Sequence, residues 1–154
     1  MELCVAFYRG DGHWHNKAVR NTTQSIYSHA ELIMPDRKSI SIQPFCPQGV
    51  RKIYFDEQEN TEDYDIICIP CTPAQVKTIE LFFHDTKGDG YDWAGMILSK
   101  FTPFHIKRVG RWYCSEWIAY ALRLAGAVDN LYHHSDLTPQ RLHEVLRKYA
   151  TKDS

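Results

Sequence analysis

Strand patterns fill the first half of this chain and helical patterns fill the second, and any fold must accommodate that order. Leu3–Tyr8 is a short apolar run that stops at Arg9-Gly10, and Tyr27–Met34 lies between polar Asn21–Ser25 and the pair Pro35-Asp36. Pro35-Asp36-Arg37-Lys38 has turn chemistry, and Ser39–Gln43 then alternates polar and apolar residues, which predicts an antiparallel hairpin with a half-buried second strand. Val50–Phe55 and Tyr64–Ile69 supply two further strands. In the second half, Thr72-Pro73-Ala74-Gln75 sets an N-cap, a proline at N1 and a glutamine at N3. Val76, Ile79, Phe82 and Phe83 then share one helical face, and Gly88 and Gly90 end it. Tyr91–Phe101 reads as a short helix, Trp112–Ala125 as a longer one stopped by Gly126, and Thr138-Pro139 starts a last helix bearing Leu142, Val145, Leu146 and Tyr149. Strands followed by helices imply an α+β fold, with helices packed on an antiparallel sheet. With 154 residues and no repeat or long linker, residues 1–154 read as one domain.

Composition narrows the function classes. A chain that is 44% hydrophobic and 24% charged has ample core and is not broadly disordered. Its net charge of −1 offers no global attraction to nucleic acid or an anionic membrane. No apolar run reaches the roughly 20 residues of a spanning helix, and MELCVAFYRG does not have the form of a signal peptide. The expectation is a soluble protein of the cytoplasm, that of the host if the chain is viral. The cysteines, Cys4, Cys46, Cys68, Cys71 and Cys114, are odd in number and irregularly spaced, which argues against a disulfide framework. The Cys68-Ile-Pro-Cys71 pair ends a strand-like segment, and no second such pair completes a zinc site, so a structural role is expected. His13 and His15 could chelate, but no third ligand sits at diagnostic spacing, and neither a metal nor a cofactor is expected.

The chemistry concentrates in WYCSEWIAYALRLAG. Cys114, Ile118, Ala121, Leu122 and Ala125 form one inward stripe, so by periodicity Cys114 is equally a core residue. It also lies in the first helical turn, where unpaired backbone N–H groups and the helix dipole favour a thiolate and can receive an oxyanion. Ser115 and Glu116 suit the same turn, as caps if nothing more. A thiolate nucleophile needs a base, and among eight histidines His29 stands out, near the start of a strand with Glu31 on the same face. His84 sits near a helix end, His105, His133 and His134 lie in loops, and His143 is assigned to the exposed side of the last helix. Two residues compete to orient the His29 imidazole. Glu31 brings charge but lies two residues along the same strand; Gln43, on the next strand, could be directly opposite and closer. Trp112, Tyr113 and Trp117 either line a substrate groove or are packing aromatics.

At these residues the chain resembles the circularly permuted papain-like hydrolases of the NlpC superclass, often called YiiX-like, and above all their small phage and bacterial members. The resemblance rests on YSHAELIMP, a YDWAG stretch at Tyr91–Gly95 and RWYCSEWIAYALRLAG, and extends more loosely from VAFYRG to TPQRLHEVL. Histidine precedes cysteine here, the reverse of ordinary papain-like enzymes. The resemblance implies a central antiparallel sheet or half-barrel, with a helix presenting Cys114 as nucleophile and His29 as base. Members commonly place a glutamate on the strand after the histidine, where this chain has Ser41 and Gln43. The implied activity is hydrolysis through an acyl-enzyme, as an amidase, peptidase, esterase or thioesterase acting on a peptide, lipid or protein-conjugate. The alternatives are a catalytically silent module of the same shape and, more remotely, a histidine-based zinc protein.

Overall fold

Leu3, Val5, Ala6 and Phe7 are all fully buried, and a strand this apolar belongs inside a sheet with a neighbour on each side. The computed structural model, which describes residues 1–10, 26–43, 46–55, 61–92, 110–129, 131 and 138–150, places it there. Strand β1 (Glu2–Tyr8) lies between β2 (His29–Ile33) and β5 (Tyr64–Pro70), and β3 (Lys38–Ser41) and β4 (Arg51–Tyr54) extend the sheet in the order β4-β3-β2-β1-β5. Every pairing in this sheet is antiparallel. The fold is therefore α+β. The tight connection between β2 and β3 closes through Met34 and Arg37, with Arg37 N–H donating to the Met34 carbonyl at 2.9 Å and Arg37 adopting a left-handed φ of 65°.

The period of two separates the faces of the sheet. On one face the register sets Val5 between Leu32 and Ile67, and Phe7 between Ala30 and Asp65. The rows of the other face are Cys4 with Ile33 and Cys68, Ala6 with Glu31 and Ile66, and Tyr8 with His29 and Tyr64. Helix α1 (Pro73–Thr86) starts from a full Thr72/Gln75 capping box, as expected from sequence. Helix α2 (Cys114–Leu124) packs on α1, on β2 and on α3 (Pro139–Leu146), within one continuous apolar core. Phe82 of α1 stacks on Trp117 of α2, ring centroids 5.2 Å apart.

Ahead of α2, the short strands β6 (Gly90–Tyr91) and β7 (Arg111–Trp112) pair in parallel. Tyr91 and Trp112 are thus in strands, where the sequence pattern assigned both to helices; the rest of the expected Tyr91–Phe101 helix lies outside the described residues. Gly49 anchors this region to the sheet. It has a φ of 60°, and a Cβ there would run into the carbonyl oxygens of Gly88 and Asp89. That close approach lets Val50 N–H donate to Asp89 O at 2.9 Å and Gly88 N–H to Val50 O at 3.0 Å.

The cysteines depart from expectation. Cys4 and Cys68 stand directly opposite on β1 and β5 and form a disulfide, while Cys46, Cys71 and Cys114 are free. The partner of Cys68 is therefore 64 residues away rather than three along the chain. Spacing could not reveal it, because strand register decides which side chains meet.

Candidate active site

Cys114 is the first residue of α2, and Tyr113 is its N-cap. The first helical bond runs from Trp117 N–H to Tyr113 O at 3.1 Å, so the N–H groups of Cys114, Ser115 and Glu116 precede the ladder. Glu116, at N3, turns back to accept from Tyr113 N–H at 3.4 Å, which fixes the entry of the chain into the helix. Tyr91, Asp92 and Tyr113, all buried, lie around this turn, and Asp92 N–H donates to Trp112 O at 2.8 Å.

His29, the first residue of β2, is 6% exposed and lies beside both Glu31 and Cys114. Its Nε2–H donates to Glu31 Oε1 at 3.2 Å. With Nε2 so engaged, Nδ1 is the nitrogen left for the thiol. Burial opposes a charge on this ring, but the neighbouring Cys114 and the hydrogen-bonded Glu31 outweigh it and raise the His29 pKa from 6.5 to about 10. Burial likewise opposes ionisation of Glu31. His29, through hydrogen bond and charge, together with Ser39 and Arg51, overcomes it and lowers the carboxyl pKa. The arrangement is a buried cysteine–imidazolium–carboxylate chain at a helix N-terminus.

Of the two candidate orienters, Glu31 is the one joined to His29. The register that pairs Leu32 with Ile40 and Ile33 with Ser39 would bring Gln43 opposite His29 if continued, but β3 ends at Ser41. Gln43 is half-buried beyond the end of the strand, and its carbonyl accepts from Cys46 N–H at 3.3 Å. Backbone spacing favoured Gln43; side-chain reach along one strand face, added to opposite charge, favours Glu31.

The aromatics flanking Cys114 are packed. Trp117 is 1% exposed and its indole N–H donates to Thr86 Oγ1 at 2.9 Å; Trp112 donates to Asp89 Oδ2 at 3.0 Å. Tyr113 is buried at the N-cap. All three are thus buried. His143 is half-buried rather than on an exposed helix side: its ring packs edge-on to Phe7, and Nε2 lies 3.3 Å from Tyr27 Oη. His13, His15, His105, His133 and His134 lie outside the described residues. Ser39 and Ser41, whose alternation suggested a solvent face, are buried beside Glu31, and Arg51 on β4 adds a cation that sequence reasoning missed. Its only signal was its place at the start of a strand.

Among the described residues, one group has metal-ligand proximity, Glu2 with Cys4 and Cys68, and its two sulfurs are spent in the disulfide. No helix among the described residues is long and apolar enough to cross a membrane. The chain matches no protein-family model, and no curated protein matches it.

Proposed function

We propose that this chain is a cysteine hydrolase in which Cys114 is the nucleophile, His29 the general acid–base and Glu31 the residue that orients and charges the imidazole. The observation that carries this reading is that a buried imidazole, hydrogen-bonded to a buried carboxylate, lies beside the first-turn thiol of Cys114. Histidine in a strand is ordinarily structural, but a buried imidazolium between a first-turn thiol and a carboxylate serves no packing need. The site has the parts of a permuted papain-like hydrolase, in line with the YSHAEL and WYCSE resemblance.

In this mechanism the Cys114 thiolate attacks a carbonyl carbon of an amide, ester or thioester, and the electron pair of the C=O bond moves to oxygen. The N–H groups at the start of α2, Cys114 N–H among them, receive that oxyanion. His29 gives its proton to the leaving amine, alcohol or thiol as the tetrahedral species collapses. Neutral His29 then takes a proton from water, which attacks the acyl-enzyme and releases the acid and the Cys114 thiolate. Peptide, lipid or protein-conjugate substrates fit this chemistry, with neither metal nor cofactor required, and the cytoplasm is the proposed compartment.

The burial of Cys114, 3% exposed, favours a second reading, a silent binding module with the same shape. Iodoacetamide at pH 6 separates the two. Selective alkylation of Cys114 that is lost in His29→Ala supports the hydrolase. Slow, equal labelling of Cys46, Cys71 and Cys114 would sink it.

A further inference from the structure

Glu31 is a carboxylate with almost no water around it, and the hydrogen bond to His29 does not by itself account for its environment. On the neighbouring strand Ser39 and Ser41 are 0% and 4% exposed, and the register sets Ser39 opposite Ile33 and Arg51 opposite Ser41. Continuing it by one row places Ser41 beside Glu31. The Ser39 hydroxyl faces the Glu31 carboxylate, yet neither it nor the Ser41 hydroxyl closes a hydrogen bond of full geometry. Arg51 Nε is buried without a partner too, while Nη1 donates to Gln48 Oε1 at 3.3 Å. Three buried donors therefore stand unspent on the two strands beside Glu31.

We infer that Arg51 is a positioning residue for the Cys114–His29–Glu31 chain: its charge, with the hydroxyls of Ser39 and Ser41 between, holds Glu31 as a carboxylate directed at His29. The inference deepens the hydrolase reading and rests on it for its functional meaning. The ionisable groups facing His29 and Glu31 are Cys114 from α2, Tyr8 from β1, Tyr64 from β5 and Arg51 from β4, while Tyr91, Asp92, Tyr113 and Glu116 surround the Cys114 end. Arg51 is the cation among them on the Glu31 side. It lowers the carboxyl pKa, so it extends the ionised form of Glu31 toward acid, and its loss moves the acid limit upward.

The test compares wild type with Arg51→Met, which keeps the length and removes the charge, and with Arg51→Lys, which restores the charge. Carboxyl carbon NMR follows the titration of Glu31, assigned through Glu31→Gln, while iodoacetamide labelling of Cys114 is measured across acidic pH. The Glu31 midpoint and the acid limb of labelling should both rise by about one pH unit in Arg51→Met and return in Arg51→Lys. A merely structural arginine would leave the midpoint in place, and an unchanged midpoint overturns the inference, as does a lysine variant no better than methionine. If the midpoint moves but wild-type Cys114 is not selectively labelled, the role of Arg51 toward Glu31 stands and the hydrolase reading falls.

Discussion

His29 and Glu31 are two residues apart on one strand, and their side chains meet at 3.2 Å although both are more than nine-tenths buried. A carboxylate buried in this way tolerates its charge only beside a cation, and the imidazolium is the nearest one, joined to it by a hydrogen bond. Replacing Glu31 by glutamine keeps the shape and removes the charge. We expect Cys114 alkylation at pH 6 to slow by about tenfold or more in Glu31→Gln, while Gln43→Ala stays within about twofold of wild type. Equal effects of the two variants would return Gln43 to the site.

The raised pKa of His29 makes stability depend on pH with a definite sign. A group protonated up to about 10 when folded, but only to 6.5 when unfolded, contributes fully below 6.5 and loses that contribution as pH rises toward 10. Thermal midpoints should therefore fall between these limits in wild type and fall less in His29→Gln. Tyr27 and Tyr64, both raised to about 12, titrate above that window. Parallel curves for the two proteins would mean that His29 is neutral.

The Cys4–Cys68 bridge closes a loop of 64 residues and ties the interior strand β1 to the edge strand β5. By loop-closure entropy it stabilises the fold by about 4 kcal/mol. Urea unfolding with and without dithiothreitol should show a loss approaching that size, and Cys4→Ser should show it without reductant. Identical midpoints would mean that the thiols are not bridged in solution.

Gly49 and Gly88 both have left-handed backbones, with φ of 60° and 89°. Only Gly49 has backbone where a Cβ would go; a Cβ at Gly88 meets nothing within 4 Å. Gly88→Ala should cost about 1 kcal/mol for conformation alone, and Gly49→Ala at least about 2 kcal/mol more. Since Gly49 holds the segment leading to Tyr91, its variant should also disturb Cys114 labelling. Equal costs at the two positions would show that the β4 contact yields easily.

Much of the fold was legible because local patterns and tertiary demands agree. The capping box at Thr72, the apolar run of β1, the hairpin at Pro35-Asp36 and the α2 stripe each carry their information within a few residues. Tyr91 and Trp112 were misassigned because two-residue strands have no period to read. The burial of Ser39 and Ser41 was not legible because alternation marks two faces of a strand without saying what covers the polar one.

The sequence by itself determined the class of the fold, the position of Cys114 in a helical first turn and the nearness of His29 and Glu31 on one strand face. Periodicity and short-range chemistry suffice for these. Only the tertiary structure decided that His29 meets Cys114, that Glu31 rather than Gln43 meets His29, that Cys4 pairs with Cys68, and that Arg51 flanks the carboxylate. Each of these depends on strand register or on the docking of a helix against a strand, and a shift of one residue would turn every strand side chain involved to the other face.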